Sequence, residues 1–455
     1  MTWSDPKIMT RQIVVIGGGW AGLAAAVRLC AEGFSVAVLE ALPVAGGRAR
    51  SLPARGGEGK LDWGQHLFLG GYRRTKELLD LLGTRHSLRR VEGPVPFYAR
   101  GGKGGRVRVL PLPAPLHLLG SMLDLSHLGL KARLELGRMA LAFFLNPPSR
   151  GDLERTTAEA WLRSCGQGDE VIARFWRPIV VSALNEEPGA ASASMLEVVL
   201  REGIFAGGTE AAPELPEVSL GELVAEPAAR YIEQRGGVVR TRGAVKGLRM
   251  EGGRARAAVL RGGSEVEADT FIIAVGPWDA APLLRSIGSP RALRVSGDLE
   301  LFRPSPIVTL YVRTGRALIA GAYAGLLDGH FHWVFNRSRR AGGSGGGIHR
   351  YSFVCSAAHS LLGKTRDQLK AMAEEDIRSH LPGGEEADIF VTRVVVDRKA
   401  TFSPAPCLTP RRPGHDALAD HEVLLAGDWT GTGLPATLEG AVASGFRCAE
   451  AVIGQ

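Results

Sequence analysis

The sequence predicts an α/β protein, in which a discontinuous domain built on a parallel sheet carries an inserted domain of mixed helix and sheet. Three observations carry this expectation. A strand-like run, Gln12-Ile-Val-Val-Ile16, opens into Gly17, Gly19 and Gly22 with the spacing G-x-G-x-x-G. Near the other end, Val423-Leu-Leu-Ala-Gly-Asp428 is followed by Leu434-Pro-Ala-Thr-Leu-Glu-Gly. The chain has 455 residues, too many for one ordinary core.

The first element is a β-branched run bounded by Gly17, the pattern of a buried parallel strand. Ala21 to Glu32 continues with helix formers, and Leu23, Val27 and Cys30 share a face. Ser35-Val-Ala-Val-Leu39 reads as a second strand that ends at Glu40. Chemistry demands this order. Gly17 permits the tight turn, Gly19 lets backbone N–H groups approach a pyrophosphate, and Gly22 lets the helix pack closely on the strand. The helix N-terminus then faces the phosphate charge, and Glu40 accepts hydrogen bonds from ribose hydroxyls. Strand, helix, second strand and terminal acid in register make a Rossmann-like dinucleotide-binding unit.

Gly46-Gly47-Arg48 comes next, followed by Asp62-Trp-Gly-Gln-His66. On its own the glycine pair reads as an ordinary turn. The succession resembles the flavoprotein family of amine oxidases and carotenoid desaturases, in which a GG-R segment crosses the pyrophosphate. That resemblance implies FAD as the cofactor. At the back of the chain it gives Gly427 and Asp428 to the ribityl and phosphate-side hydroxyls. It also brings the helix that begins near Pro435, through Thr437 and Leu438, to the flavin's N1/O2 region. The N–H groups and dipole of a helix N-terminus suit that region when the flavin is reduced. Gly236 to Val245 resembles the family strand whose backbone contacts adenine, a role carried here to Val245. Ala268 to Gly276 resembles the strand that returns the chain to the cofactor domain.

The cofactor domain is therefore expected over 8–92, 226–290 and 398–455. The first insertion, 93–225, reads as mainly helical and includes a Leu-rich segment from Leu116 to Leu145 dotted with Lys131, Arg133 and Arg138. The second, 291–397, reads as β-rich, with Pro306 to Val312, Phe331 to Phe335 and Tyr351 to Val354 as strands. The glycine-rich stretch Gly342 to Gly347 lacks a Lys-Ser/Thr ending, so a hairpin tip is expected there, not a phosphate loop. No second G-x-G-x-x-G unit follows, which disfavours a separate nicotinamide domain.

Composition narrows the function classes. Net charge is +8, yet neither nucleic-acid modules nor interleaved aromatic and basic runs are present, so nucleic acid is not an expected partner. The five cysteines are scattered without a C-x-x-C pair, which argues against a metal site and a disulfide framework. Met1 to Thr10 is polar and unlike a secretory signal, and no stretch offers ~20 uninterrupted apolar residues to span a bilayer. A cytoplasmic protein is expected.

Further segments narrow the resemblance. They are Asp62-x-Gly-Gln-His66, Ala183-Leu-Asn185 with Pro188 and Ala191-Ser192, Glu226-Pro-Ala-Ala-Arg, Arg398-Lys-Ala-Thr-Phe402 and Pro435-Ala-Thr-Leu-Glu-Gly. Together they resemble the squalene-associated FAD-dependent desaturases, now understood as hydroxysqualene dehydroxylases, over nearly the whole chain. The polar N-terminal extension and the insert near Gly342 depart from that pattern without touching a motif. The resemblance implies an oxidoreductase that converts hydroxysqualene to squalene in hopanoid or related triterpenoid synthesis. Flavin N5 would be the hydride donor. It implies a thirty-carbon isoprenoid substrate, squalene-synthase-like pathway partners, and peripheral attachment to the anionic inner face of the cytoplasmic membrane. A carotenoid or phytoene-type desaturase, a flavin amine oxidase and a non-catalytic flavin-binding scaffold are the competing readings.

For catalysis, His66 is the candidate acid or hydroxyl anchor, and a histidine bonded to local backbone is the competing reading. Asn185 is the candidate that orients the same hydroxyl, against a helix cap or turn. Asp62 is expected to fix backbone or cofactor, and not to transfer protons. Trp333, Phe335 and Tyr351 are candidates for a tunnel lining, with core packing as the alternative.

Overall fold

The computed structural model describes residues 11–454 apart from 54–58, 103, 109, 111, 113, 115–116, 118–123 and 339–346. The expected hairpin tip at 342–346, the segment 1–10 and part of the Leu-rich stretch at 116–123 therefore lie outside the described residues.

Five parallel strands form the first sheet: β1 (Gln12–Ile16), β2 (Ser35–Leu39), β3 (Val238–Arg240), β4 (Thr270–Ile273) and β5 (Val423–Leu425), in the order β3-β2-β1-β4-β5. Four residues of β1 pair with β4 on one side, and all five pair with β2 on the other. The strand order thus reverses at β1, and ligands of such sheets bind beyond the strand ends at that point. One face is covered by the first helix, Trp20–Ala31, and the last, Leu438–Ile453. They pack so closely that a Cβ on Gly445 would lie 2.1 Å from the carbonyl oxygen of Ala21. Leu23, Val27, Val442 and Phe446 fill this core with Leu78 and Leu223. The opposite face is packed by Leu284, Leu299, Phe302 and Trp429 and by an antiparallel meander, Val245–Glu251, Arg254–Leu260 and Glu265–Glu267.

The second sheet has seven strands, in the order Ile389–Phe402, Pro304–Thr314, His349–Cys355, Trp333–Asn336, Tyr323–Leu327, Val95–Ala99 and Gly104–Val107. Its neighbours are antiparallel except for Tyr323–Leu327 against Val95–Ala99. Helices between Leu130 and Ile204 form a separate core around Leu136, Trp161, Trp176, Val180 and Leu196.

Several pairings cross the expected segment limits. The piece 93–225 is not uniformly helical, because residues 95–107 close the edge of the second sheet and Pro213–Pro216 pairs with Phe68–Leu69 and Leu88–Arg90. Helix Pro290–Leu299 packs in the cofactor-domain core through Ala292 and Leu299, so that domain continues past 290. Strand Ile389–Phe402 crosses the expected limit at 398, because it pairs antiparallel with Pro304–Thr314 from Ile389 to Phe402, with register shifts at Ser305/Ile307 and Tyr311/Val312.

Candidate active site

The glycine loop is shaped by contacts that only glycine permits. Gly17 has φ +114°, and a Cβ there would meet the carbonyl oxygen of Ala274 at 2.7 Å. A Cβ on Gly22 would lie 2.0 Å from the carbonyl oxygen of Gly17, so helix and strand touch through backbone. Gly19 differs: a Cβ there would meet only Cα of Gly47, at 3.9 Å, an ordinary contact. Gly19 is also the N-cap of the first helix, which has neither a side-chain cap nor an acidic residue in its first turn, although Trp20, Ala21 and Gly22 are buried. A buried helix end without side-chain partners for its N–H groups is the environment an anion satisfies. The site therefore fits the pyrophosphate of a dinucleotide.

Around that helix end the other expected residues assemble. The backbone N–H of Gly46 donates to the carbonyl of Gly18 at 2.7 Å, so the second glycine pair crosses the first loop. Glu40, at the end of β2 and 6 % exposed, accepts from the N–H groups of Gly18 at 2.8 Å and Leu42 at 2.7 Å. Those bonds fix its carboxylate beside the loop. Gly243 donates its N–H to the carbonyl of Glu40, and Val245 begins the meander strand just beyond. The start of the strand at Val245 is thus brought close to Glu40.

Arg48 sits in the short helical turn Gly47–Ala49 and reaches the far end of the chain. Its Nη2 donates to Oδ1 of Asp428 at 2.5 Å and its Nη1 to the carbonyl of Ala400 at 3.0 Å. Burial opposes the Arg48 charge, but attraction and hydrogen bonding from Asp428 more than offset it, so its pKa lies above the ordinary value. Gly427 has φ +145° and donates its N–H to Oγ of Ser444, which ties β5 to the last helix. Thr437 caps that helix by accepting from the N–H of Gly440, and Leu438 is its first residue. Glu439 turns away from the site and accepts from the N–H groups of Arg74 and Thr75, capping the helix Arg73–Leu81.

The segment Asp62 to His66 lies between this loop and the second sheet. Asp62 is buried and accepts from Oγ of Ser51 at 2.6 Å and the N–H of Leu220 at 2.8 Å, and Tyr311 donates its hydroxyl to the Asp62 carbonyl. It fixes backbone. Trp63 donates Nε1 to Asp397 at 3.0 Å and lies under the guanidinium of Arg50, 3.9 Å from the ring centre. Nδ1 of half-buried His66 lies 3.2 Å from the carbonyl of Gly64, which orients the ring. Leu67, the next residue, packs in an apolar cluster with Val91, Val95, Leu215, Ile307, Tyr323, Trp333, Phe335 and Val354. Phe335 is buried in this cluster and Trp333 packs against it, so their contacts are those of the core-packing alternative. Tyr351 is 1 % exposed, and its hydroxyl accepts from the N–H of Leu318, also a core role.

Asn185 departs from the expectation. It ends the helix Arg177–Leu184 at φ +51°, and its Nδ2 donates to the carbonyl of Ser305 at 3.1 Å and to Oγ1 of Thr401 at 2.9 Å. Its Oδ1 accepts from the N–H of Ala357 at 2.6 Å. Both amide donors are committed to joining the helical insertion to the second sheet, and the residue is 4 % exposed. The helix-terminus reading is the one its contacts support, because three main-chain or hydroxyl partners already satisfy the amide.

One residue absent from the expected set is central. Arg412, 7 % exposed, donates Nη2 to the carbonyl of Asp428 at 2.8 Å and Nη1 to the carbonyl of Leu434 at 2.7 Å. Nothing in the local sequence around Thr409-Pro-Arg-Arg-Pro413 marks it, since its partners lie 16 and 22 residues away.

A parallel sheet with an uncapped buried helix end, a buried acid beside it and a second helix end from the C-terminal part of the chain make a dinucleotide site, and comparison with known proteins makes the chain an FAD-dependent oxidoreductase. The chain belongs to the flavin containing amine oxidoreductase family, whose model matches residues 20–453. It is 30 % identical to a hydroxysqualene dehydroxylase from Rhodopseudomonas palustris, over 98 % of this chain and 99 % of that one. A zeta-carotene desaturase from Synechocystis sp. is 28 % identical over 52 % of this chain and 50 % of its own. Among solved structures, an oxidoreductase from Methanosarcina mazei superposes with a TM-score of 0.74 at 18 % identity, covering 98 % of this chain and 100 % of that one. The resemblance to the hydroxysqualene dehydroxylase family drawn from the motifs is thus matched along the full chain.

Proposed function

We propose that this enzyme reductively removes the allylic hydroxyl of hydroxysqualene to give squalene, in a route feeding hopanoid or related triterpenoid synthesis. The observation that carries this reading is the near full-length likeness to the Rhodopseudomonas palustris hydroxysqualene dehydroxylase. The apolar cluster beside His66 supports it, because an allylic cation developing as the C–O bond breaks needs a lining without a competing nucleophile. When bound and reduced, FAD supplies the hydride that forms the new C–H bond.

The chain's own groups supply the rest. Glu40, Arg48, Val245 and Asp428 hold and orient the cofactor. His66 protonates the departing hydroxyl, which leaves as water, since hydroxide is a poor leaving group. Its Nδ1 contact with Gly64 aims the ring for this task. Replacement by phenylalanine is expected to lower kcat about 10²–10⁴-fold while FAD stays bound. Unchanged kcat would return His66 to a structural role.

The substrate class implies a squalene-synthase-like enzyme upstream and a membrane as its reservoir. Helix Leu130–Leu145 suits a membrane surface. Ala132, Leu136, Met139 and Phe143 are buried on one side, and Leu130, Leu134, Leu141 and Leu145 are exposed on the other. At 100° per residue those four exposed leucines fall within about 60° of one another, and Lys131 and Arg138 are exposed at their flank. An apolar stripe edged by basic residues matches a helix lying in an anionic interface. No described helix is long and apolar enough to cross a membrane. The double variant L134K/L141K should lose cosedimentation with anionic vesicles while keeping turnover in detergent; unchanged cosedimentation would remove this surface from the account.

The test of the reaction is incubation of the FAD-loaded enzyme with hydroxysqualene and a reductant, and separately with phytoene and a quinone as electron acceptor, with products identified by mass. Squalene from the first supports the proposal. Added double bonds in the second, with no squalene in the first, would favour the desaturase reading that the zeta-carotene desaturase likeness keeps in view.

A further inference from the structure

We propose that Arg412 is a positioning residue of the cofactor site, which braces the loop between Asp428 and the last helix and places a buried positive charge beside the flavin. The charge would face the end of the ring system that becomes negative on reduction.

The geometry starts from the loop itself. Asp428 and Leu434 lie at its two ends, and one guanidinium donates to the carbonyl of each, at 2.8 and 2.7 Å. Within the loop, Oγ1 of Thr432 accepts from the same Nη2 at 3.3 Å. Arg447 grips the loop from the last helix, donating to the carbonyls of Gly431 at 3.1 Å and Thr432 at 3.0 Å. Arg412 and Arg447 differ in setting, since the Arg447 contacts are partly exposed while Arg412 is enclosed by Phe402, 5.6 Å from the ring centre, and Met195, whose Sδ is 3.8 Å from Nη1. Leu434 lies three residues before Thr437, the cap of the helix whose N-terminus serves the cofactor. Arg412 therefore bridges the residue that meets the ribityl side and the turn that meets the ring.

Its charge is incompletely satisfied by the protein. Among the described residues the guanidinium bonds to carbonyl and hydroxyl oxygens without a carboxylate hydrogen bond, and its Nε is buried without a partner. The carboxylate of Asp428, the nearest acid in the site, is already bonded to Arg48. Burial pushes the Arg412 pKa down to about 10, which still leaves it charged at neutral pH. A buried cation held by dipoles alone is unfavourable unless an anion offsets it. Two electrons and one proton entering a bound flavin leave one negative charge on its N1/O2 region, and a fixed cation there stabilises the reduced form.

The inference rests on FAD binding and not on which substrate is reduced, so failure of hydroxysqualene turnover leaves it standing. The test is the midpoint potential of the bound flavin, measured by dithionite titration of the wild-type holoenzyme and of R412Q and R412K. In wild type the potential should fall by about 30 mV per pH unit between about pH 6 and 9, the response to one proton per two electrons. R412Q, which retains donors but not charge, should have a potential at least about 30 mV more negative, a tenfold loss of preference for the reduced form. R412K should stay close to wild type. An R412Q potential equal to wild type would overturn the proposal. So would a wild-type slope of about 60 mV per pH unit, which reports uptake of two protons and decides the matter even if R412Q fails to fold.

Discussion

Replacing Gly19 and Gly22 separately by alanine distinguishes the loop's cofactor role from its packing role. At Gly19 the backbone has φ −73° and ψ 176°, which any residue adopts, and the added Cβ would come no closer to the protein than 3.9 Å. The apoprotein should therefore keep its stability, or gain about 0.4–1 kcal/mol because alanine restricts the unfolded chain. The same Cβ would stand at the N-cap of the first helix, where the backbone is expected to approach the pyrophosphate closely. Crowding a fitted contact costs about 1–3 kcal/mol, so FAD affinity should fall about 5- to 150-fold. At Gly22 the Cβ would lie 2.0 Å from the Gly17 carbonyl and 3.1 Å from both Val15 Cγ1 and Ala274 Cβ. Backbone cannot yield there as a side chain would, so G22A should destabilise the apoprotein by at least about 1–3 kcal/mol. Urea unfolding of the two apoproteins and titration with FAD measure both quantities. The reasoning is refuted if G19A binds FAD with wild-type affinity, or if it unfolds as readily as G22A.

Other outcomes follow from the same geometry. R48A leaves the Asp428 carboxylate, 5 % exposed, without its partner. Because Arg48 itself is 34 % exposed, the expected loss is about 2 kcal/mol, below the about 3–5 kcal/mol of a fully buried pair, and adding D428N in a double-mutant cycle should recover part of it. N185A leaves the buried Ala357 N–H without its side-chain acceptor and removes a donor from the Ser305 carbonyl. It should cost about 1–3 kcal/mol in denaturant while kcat of the folded enzyme changes only a few-fold; a dominant loss of kcat/KM would restore the substrate role. His332 has its pKa lowered to about 4 by burial, with Arg177 adding to the effect. Its unfolded form therefore binds the proton first, and stability should be complete above about pH 6.5 and decline as pH falls toward 4. H332Q should flatten that decline in a series of thermal melts.

The cofactor half of the site was legible because its signals are local. Gly17, Gly19, Gly22 and Glu40 fall within one strand-helix-strand unit, and Gly17 and Gly22 meet backbone contacts that no side chain allows. The pairing of Arg48 with Asp428 spans 380 positions in sequence, and only the resemblance brought the two ends to one site. Roles set by distant partners were not legible. For Asn185 the sequence left open a hydroxyl-orienting role or a helix cap or turn, and only the partners Ser305, Ala357 and Thr401 decide between them. Arg412 carries no periodicity or motif, and its importance comes from burial against a loop folded back from further along the chain. The strand Ile389–Phe402 was likewise not legible as one element, because it is set by its ladder with the distant Pro304–Thr314.

The central claim is that FAD held by both chain ends reduces hydroxysqualene at the face bordered by His66. The most direct measurement is anaerobic mixing of stoichiometrically reduced holoenzyme with hydroxysqualene, following the flavin absorbance and the extracted product together. Return of the oxidised flavin spectrum with one squalene formed per flavin is the predicted result. Flavin that stays reduced, with no squalene formed, would contradict it.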